Sequence, residues 1–326
     1  MAECTYSYDR YPETDWKVVT LTCPGNSPEE QTSASFSPDI GNNLFSFAVG
    51  GTEYLFPAGN ARGNLSLLGT PILYPTPNRV RNARMTFEGR VFEFEPNNNG
   101  NFLHGLVRAI PWECDEPVAS DDSISVTTRI RFEPGTEIYE RFPIRNTLEL
   151  VYTLRPKQIS MTFTVRNEDD SERLPFGLAV HPFFQILGDR SQVRLLVPAE
   201  KWMEAENLLP SGRLLDLEDG PADLRTPKAL SELDLDDVFY GLNRSKPQVI
   251  YYDALGKKLT LTADDFYTHT VVFTPPAAPF FCVENQSCST DAHNLHAAGH
   301  VEAAHLAILN PGESHTSSIE FTLSDQ

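Results

Sequence analysis

The chain has 326 residues, and its 26 Lys and Arg stand against 45 Asp and Glu, a net charge of −19. Such a field repels phosphate backbones and anionic lipid, which argues against nucleic-acid and membrane-surface partners. Hydrophobic residues make up 40%, with 20 Phe and 11 Tyr, enough for a core, so global disorder is excluded.

From the N-terminus, MAECTYSYDRYPETDWK shows no basic region followed by an apolar stretch, so no secretory signal is read there. No run approaches the roughly 18–20 apolar residues of a membrane span. Strand signals dominate the remainder of the chain. Ser123–Phe132, Thr147–Leu154 and Ile159–Val165 alternate or are rich in β-branched residues. The last two are joined by Arg155-Pro156-Lys157-Gln158, a hairpin turn by its residue types. Further strands are predicted at Val193–Val197, Gln248–Tyr252, Lys258–Thr262, Thr270–Phe273, Phe280–Val283 and Ile319–Leu323. Helical signals are sparse: Ala229–Leu235 reads as a short helix, and Glu302–Leu309 reads as a strand despite its helix-forming residues. The 25 prolines are spread throughout, which suits many short strands joined by turns. The expected fold class is therefore all-β, mostly antiparallel, with few short helices. No repeat or linker divides the chain, so residues 1–326 are expected to form a single large sandwich domain of several layers.

The five cysteines, Cys4, Cys23, Cys114, Cys282 and Cys288, are odd in number and scattered. This argues against a disulfide framework and for a reducing cytoplasm. Cys282 and Cys288 lie close in sequence, but no second close pair completes a zinc site.

Three positions carry chemical promise. His104 follows an Asn/Gly-rich stretch, in a loop that can present a side chain without packing it. A turn histidine bonded to backbone is the plainer reading. His181 stands at the end of an apolar run, Phe176–Val180, and is pinned by Pro182. It is placed either to project into a cleft or to sit satisfied in the core. Glu284 ends the apolar segment Phe280–Val283. If the strand continues, period two puts Cys282 and Glu284 on one face. A carboxyl there is costly unless paired or used, and desolvation would raise its pKa towards the range of a general base. The alternative is a surface Glu at a strand exit.

Weaker features surround these. Asp234, Asp236 and Asp237 lack the Gly and closing Glu of a calcium loop. The histidines 293, 296, 300, 305 and 315 have no recognised metal-ligand spacing, so no metal is expected. Arg79, Arg81 and Arg84 form either a solvated strand face or a set that includes a sugar or phosphate ligand. No P-loop, GxGxxG or GxSxG motif is present.

Taken in order, the motifs resemble the aldose 1-epimerase (galactose mutarotase) family, from about Ser33 to the C-terminus. They are Ile40–Leu44, Glu53-Tyr54-Leu55, Gly69–Pro75, Pro77-Asn78-Arg79-Val80, Leu103-His104-Gly105, Arg145–Val165 with Asn167, Leu174-Pro175-Phe176 and His181-Pro182-Phe183-Phe184. Leu209–Gly212, Leu235–Phe239, Val283-Glu284-Asn285-Gln286, Asp291–Asn294 and Asn310–Glu313 complete the series. The resemblance implies a β-supersandwich of galactose mutarotase type, a small-molecule sugar substrate, no cofactor and no metal, in a monomer or homodimer. It implies Glu284 as general base, His181 as general acid and His104 as substrate holder and stabiliser of ring opening. It also implies Arg79 and Asp236 as ligands of sugar hydroxyls. Asn285 stands where the family often has Pro. The run His104-Gly105-Leu106-Val107-Arg108, with Trp112 close behind, leans towards the hexose-6-phosphate 1-epimerase branch. Asn78-Arg79 leans back to the free-sugar branch, and Leu106 stands where the phosphate branch has an aromatic.

The expected activity is therefore interconversion of the α and β anomers of an aldohexose such as glucose or galactose. One group takes the proton of the anomeric hydroxyl while another protonates the ring oxygen. Phe183, Phe184 and Phe239 are candidates to stack on the sugar, or else core residues. Two other classes stay open: a non-catalytic carbohydrate-binding protein, and a glycoside hydrolase using two carboxylates. A cleft about a sugar ring wide between His181 and Glu284 is the expected mark of the epimerase. If two or more of Arg79, Arg81 and Arg108 converge on one point about a sugar length from Glu284, a phosphorylated sugar is favoured; if only Arg79 faces the site, a free one.

Overall fold

Alternation along the strands decides how the sheets stack. In the computed structural model, which describes residues 3–12, 14–56 and 69–326, the strands Ile124–Phe132, Asn146–Arg155 and Gln158–Asn167 bury every second side chain over most of their length. Each therefore turns one face to a core and one outward. They form part of a ten-stranded sheet. The C-terminal strand Ser314–Asp325 runs through its interior, between Gln158–Asn167 and Lys257–Ala263. An eight-stranded sheet lies against it. Its path runs from Leu209–Asp216 through Lys201–Glu206, Asp236–Tyr240, His269–Phe273 and Phe280–Gln286 to Ala179–Val180 and Ile72–Leu73. A third, five-stranded sheet is a meander of the strands between Thr5 and Glu53.

Aromatic contacts join these layers. Phe321 of the ten-stranded sheet packs on Phe184, which packs on Phe281, with ring centroids 5.7 Å apart in both pairs. Phe36 of the meander meets Tyr152 at 4.9 Å, and the Tyr152 hydroxyl donates to the Asn42 carbonyl at 2.7 Å. Each fully buried ring contributes about 1.5–3 kcal/mol relative to exposure. Among the described residues no helix is long and apolar enough to cross a membrane.

The expected hairpin forms, with Arg155 opposite Gln158 across a two-residue turn. Lys157 adopts φ 63°, and its amide and ammonium are held by Thr32 and Glu30. Three expectations need correction. Cys4 and Cys23 form a disulfide. The register that pairs Thr5 with Thr22 carries one step further to face these two residues, which an odd count of cysteines does not reveal. The pairing removes the cysteine argument for a reducing compartment. Between Ala229 and Leu235 only Leu230–Glu232 turns, as one 3₁₀ turn, because Lys228–Ala229 is already paired to Arg194 and Leu195. Glu302–Leu309 is not one strand. Val301–Ala304 is helical, His305 reverses the chain at φ 46°, and Ala307–Leu309 pairs with Leu174–Phe176.

Candidate functional site

The strand Phe280–Gln286 is buried at every residue, because strands flank both its edges and both its faces are covered. Glu284 is 2% exposed. Its histidine partner follows from register. Ala179 pairs with Gln286 and Phe183 with Cys282, so the same register puts residue 181 opposite residue 284. The ladder is interrupted there by Pro182, and the His181 amide turns instead to the Pro71 carbonyl at 3.0 Å. The ring is left against Glu284, with Nε2 to Oε1 at 3.1 Å. The second carboxyl oxygen, Oε2, accepts from Gln286 Nε2 at 3.1 Å. Period two places Cys282, Glu284 and Gln286 on one face, as the sequence anticipates for the first two.

His104 reaches the same point from a separate loop. It adopts φ 70°, and its amide donates to the Asn78 carbonyl at 2.8 Å. Gly105 follows at φ 67°, where a Cβ would sit 2.4 Å from the Tyr74 carbonyl oxygen. The His104-Gly105 loop is thereby seated on the Tyr74–Asn78 segment. The His104 and His181 rings are 5.1 Å apart and nearly perpendicular. Phe183 stacks on His181 at 4.6 Å.

Arg79 is fixed by two neutral acceptors, Asn78 Oδ1 at 2.9 Å and Asn98 Oδ1 at 3.2 Å. Its charge acts on His104, Asp236 and Glu284. Arg108 is half-buried, its charge acts on both His104 and His181, and it has no carboxylate partner among the described residues. Arg81 turns away, to Asp291 at 3.3 Å and the Pro210 carbonyl at 3.0 Å.

Burial moves His181, His104, Glu284 and Asp236 towards their neutral forms. Burial pushes His181 down to about 4, and Arg108 adds to this. His104 falls well below the ordinary histidine value through burial, with His181 and the two arginines adding to it. Burial lifts Glu284 well above the carboxylate range, aided by Asp236 and opposed by Gln286 and Arg79. Asp236 rises by burial against the pull of Arg79. The Nδ1 atoms of His104 and His181 are buried without a partner among the described residues.

All seven residues singled out from the sequence (Glu284, His181, His104, Arg79, Asp236, Asn78 and Arg108) are thus linked by contact or by charge. Two expectations about the site are corrected. His181 and Glu284 are in direct contact and not a ring width apart. Phe183, Phe184 and Phe239 are buried in packing, at 3%, 0% and 1% exposure, so they are not stacking platforms. Gln286 is the residue sequence reasoning missed; its period-two relation to Glu284 was the available signal.

The pattern of the family described as "Aldose 1-epimerase" matches residues 28–322. Among curated proteins, the chain is 27% identical over 260 residues to the uncharacterised protein YphB of Escherichia coli, covering 76% of this chain and 81% of that one. It is 23% identical to galactose mutarotase of Sus scrofa, covering 76% of each. Among solved structures, a galactose mutarotase-like protein from Clostridium acetobutylicum superposes with a TM-score of 0.86, at 18% identity and 99% coverage of both chains.

Proposed function

Since the chain belongs to the aldose 1-epimerase family, we propose that it interconverts the α and β anomers of an aldohexose such as glucose or galactose. His181 and Glu284 act as the proton-transfer pair. The observation that carries this reading is their 3.1 Å contact on a buried strand, beside His104.

The contact suits the reaction. The anomeric hydroxyl oxygen and the ring oxygen are bonded to the same carbon. An acid and a base that stand side by side can therefore reach both oxygens without spanning the sugar. Glu284 takes the hydroxyl proton, the carbonyl forms at the anomeric carbon, its bond to the ring oxygen breaks, and His181 protonates that oxygen. Rotation about the adjacent carbon–carbon bond turns the aldehyde over. The ring then closes with both transfers reversed and the pair restored. Burial makes ionised Glu284 a stronger base and protonated His181 a stronger acid than in water, and by the same shifts makes that ionised arrangement the minor form of the singly protonated pair. Each transfer contributes about 10²–10⁴-fold. His104 holds the sugar and steadies charge on the opening ring, while Arg79, Asn78 and Asp236 bind its hydroxyls. Residues 1–326 work as one domain, a reading supported by the C-terminal strand lying inside the largest sheet.

Arg108 favours a second reading, a hexose 6-phosphate substrate. Unlike the ion-paired surface arginines, it brings to the two histidines a guanidinium without a carboxylate partner among the described residues, and such a group binds a phosphate dianion by charge-assisted bonds. Polarimetry on α-glucose, α-galactose and glucose 6-phosphate, at low and high salt, tests both. Acceleration of a free sugar, little affected by salt, supports the first. A preference for the phosphate that fades with salt and is lost in Arg108→Ala supports the second. No acceleration of any sugar overturns the assignment.

A further inference from the structure

Cys282 takes no part in the proton transfers, yet it lies within the proton-transfer pair. The ligating atoms of His181, Cys282 and Glu284 all fall within 4.8 Å of one another, and all three residues are buried. The Cys282 thiol has no hydrogen-bond partner among the described residues and packs with Phe56, Phe183 and Phe280. We propose that His181, Cys282 and Glu284 form a zinc site whose occupation blocks the sugar reaction.

The donor set selects the metal. One imidazole nitrogen, one thiolate and one carboxylate suit Zn²⁺, whereas Mg²⁺ and Ca²⁺ take oxygen ligands. Three protein ligands leave a fourth tetrahedral position for water. The charges balance: Zn²⁺ displaces the thiol proton and the carboxyl proton, and thiolate, carboxylate and neutral imidazole then leave the centre uncharged. The charge of Asp236, when ionised, acts on both Cys282 and Glu284, and Arg79 opposes it at Glu284. His181 and Glu284 already touch at 3.1 Å, and a widest separation of up to 4.8 Å among the three has to close by about 1 Å to reach tetrahedral ligand spacing. His181, the most exposed of the three at 9%, is the side from which the ion enters.

Such a site would use the same two groups as the epimerase, so metal and sugar compete. The inhibition rests on the proposed function, while the binding does not. The test uses the full chain in thiol-free buffer. Zn²⁺ affinity is measured by competition with a chromophoric chelator, and Co²⁺ serves as a spectroscopic probe of thiolate ligation. The expected result is one Zn²⁺ per chain and a thiolate-to-cobalt charge-transfer band. Both weaken in Cys282→Ser and in Cys282→Ala, by more than the about 10–100-fold that loss of an outer-shell partner costs. Cys114→Ser, at the partly exposed thiol, should change neither. Zn²⁺ should raise the apparent KM of the sugar, a chelator should reverse this, and the Cys282 variants should turn over sugar while tolerating Zn²⁺. Absence of stoichiometric binding, binding unchanged in both Cys282 variants, or binding lost in Cys114→Ser overturns the site. Zinc binding through Cys282 in a protein that accelerates no sugar leaves the site standing and removes the epimerase reading.

Discussion

Replacing Glu284 with Gln isolates the base from the structure around it. Its Oε1 meets His181 and its Oε2 accepts from Gln286, both at 3.1 Å; an amide of the same shape keeps its oxygen for His181 and turns its NH2 to Gln286, whose unpartnered Oε1 accepts once that side-chain amide turns over. What is lost is the ability to take the anomeric proton. A loss of at least about 10²-fold in kcat is expected, or about 3 kcal/mol of transition-state stabilisation. Stability should move the other way. A carboxyl held above its unfolded pKa opposes folding once it ionises. That penalty is absent below the unfolded value, grows as pH rises and is complete above the folded value. Glu284→Gln should therefore melt at or above the wild-type temperature at neutral pH, and the difference should fade as pH falls towards the ordinary carboxylate value. Polarimetry gives the turnover, and melting curves at several pH values give the stability. A folded Glu284→Gln protein with wild-type turnover would refute the reasoning.

His181→Asn should lower kcat more than it raises KM, while His104→Gln should change both; a silent His181 beside an indispensable His104 would exchange their roles. The pair needs one proton between its members, so activity should follow a bell in pH, with its acid limb near the depressed His181 value of about 4. Arg108→Gln should move that limb upward, because a cation that disfavours protonation is removed; an unmoved limb in kcat profiles would show that Arg108 does not act on His181. Cys4→Ser opens a loop closed across a sequence separation of 19, and denaturant unfolding should register a loss of about 3 kcal/mol with the kinetics unchanged.

The strands were legible because one-sided burial writes a period of two into Ile124–Phe132 and Asn146–Arg155. Short elements were not. Lys228–Ala229 and Leu230–Glu232 are too brief for any periodicity, and only their neighbours decide between strand and turn. The site was legible as residue types in order, but its geometry was not. Nothing local says that Phe280–Gln286 pairs with the interrupted strand around His181. That long-range register alone turns an expected cleft into a direct contact. The same holds for Cys4 and Cys23, which composition counts as unpaired and strand register brings face to face.

Net charge says little about the candidate site for a related reason. The −19 of the whole chain argues against an anionic substrate only if the field at the site resembles the average. The structure separates the two. Arg129 is tied to Asp115 at 2.6 Å, Arg194 to Asp253 at 2.7 Å and Arg225 to Asp223 at 2.6 Å, so much of the surface cation is neutralised where it stands. At the site the bias is reversed. Arg79 is held by two asparagines, Arg108 has no carboxylate partner among the described residues, and the nearest acids, Glu284 and Asp236, are pushed towards their neutral forms by burial. Local potential at short range outweighs a screened average, so under the proposed function Arg108→Ala should change the preference between free and phosphorylated sugars, and a surface charge change far from the site should not.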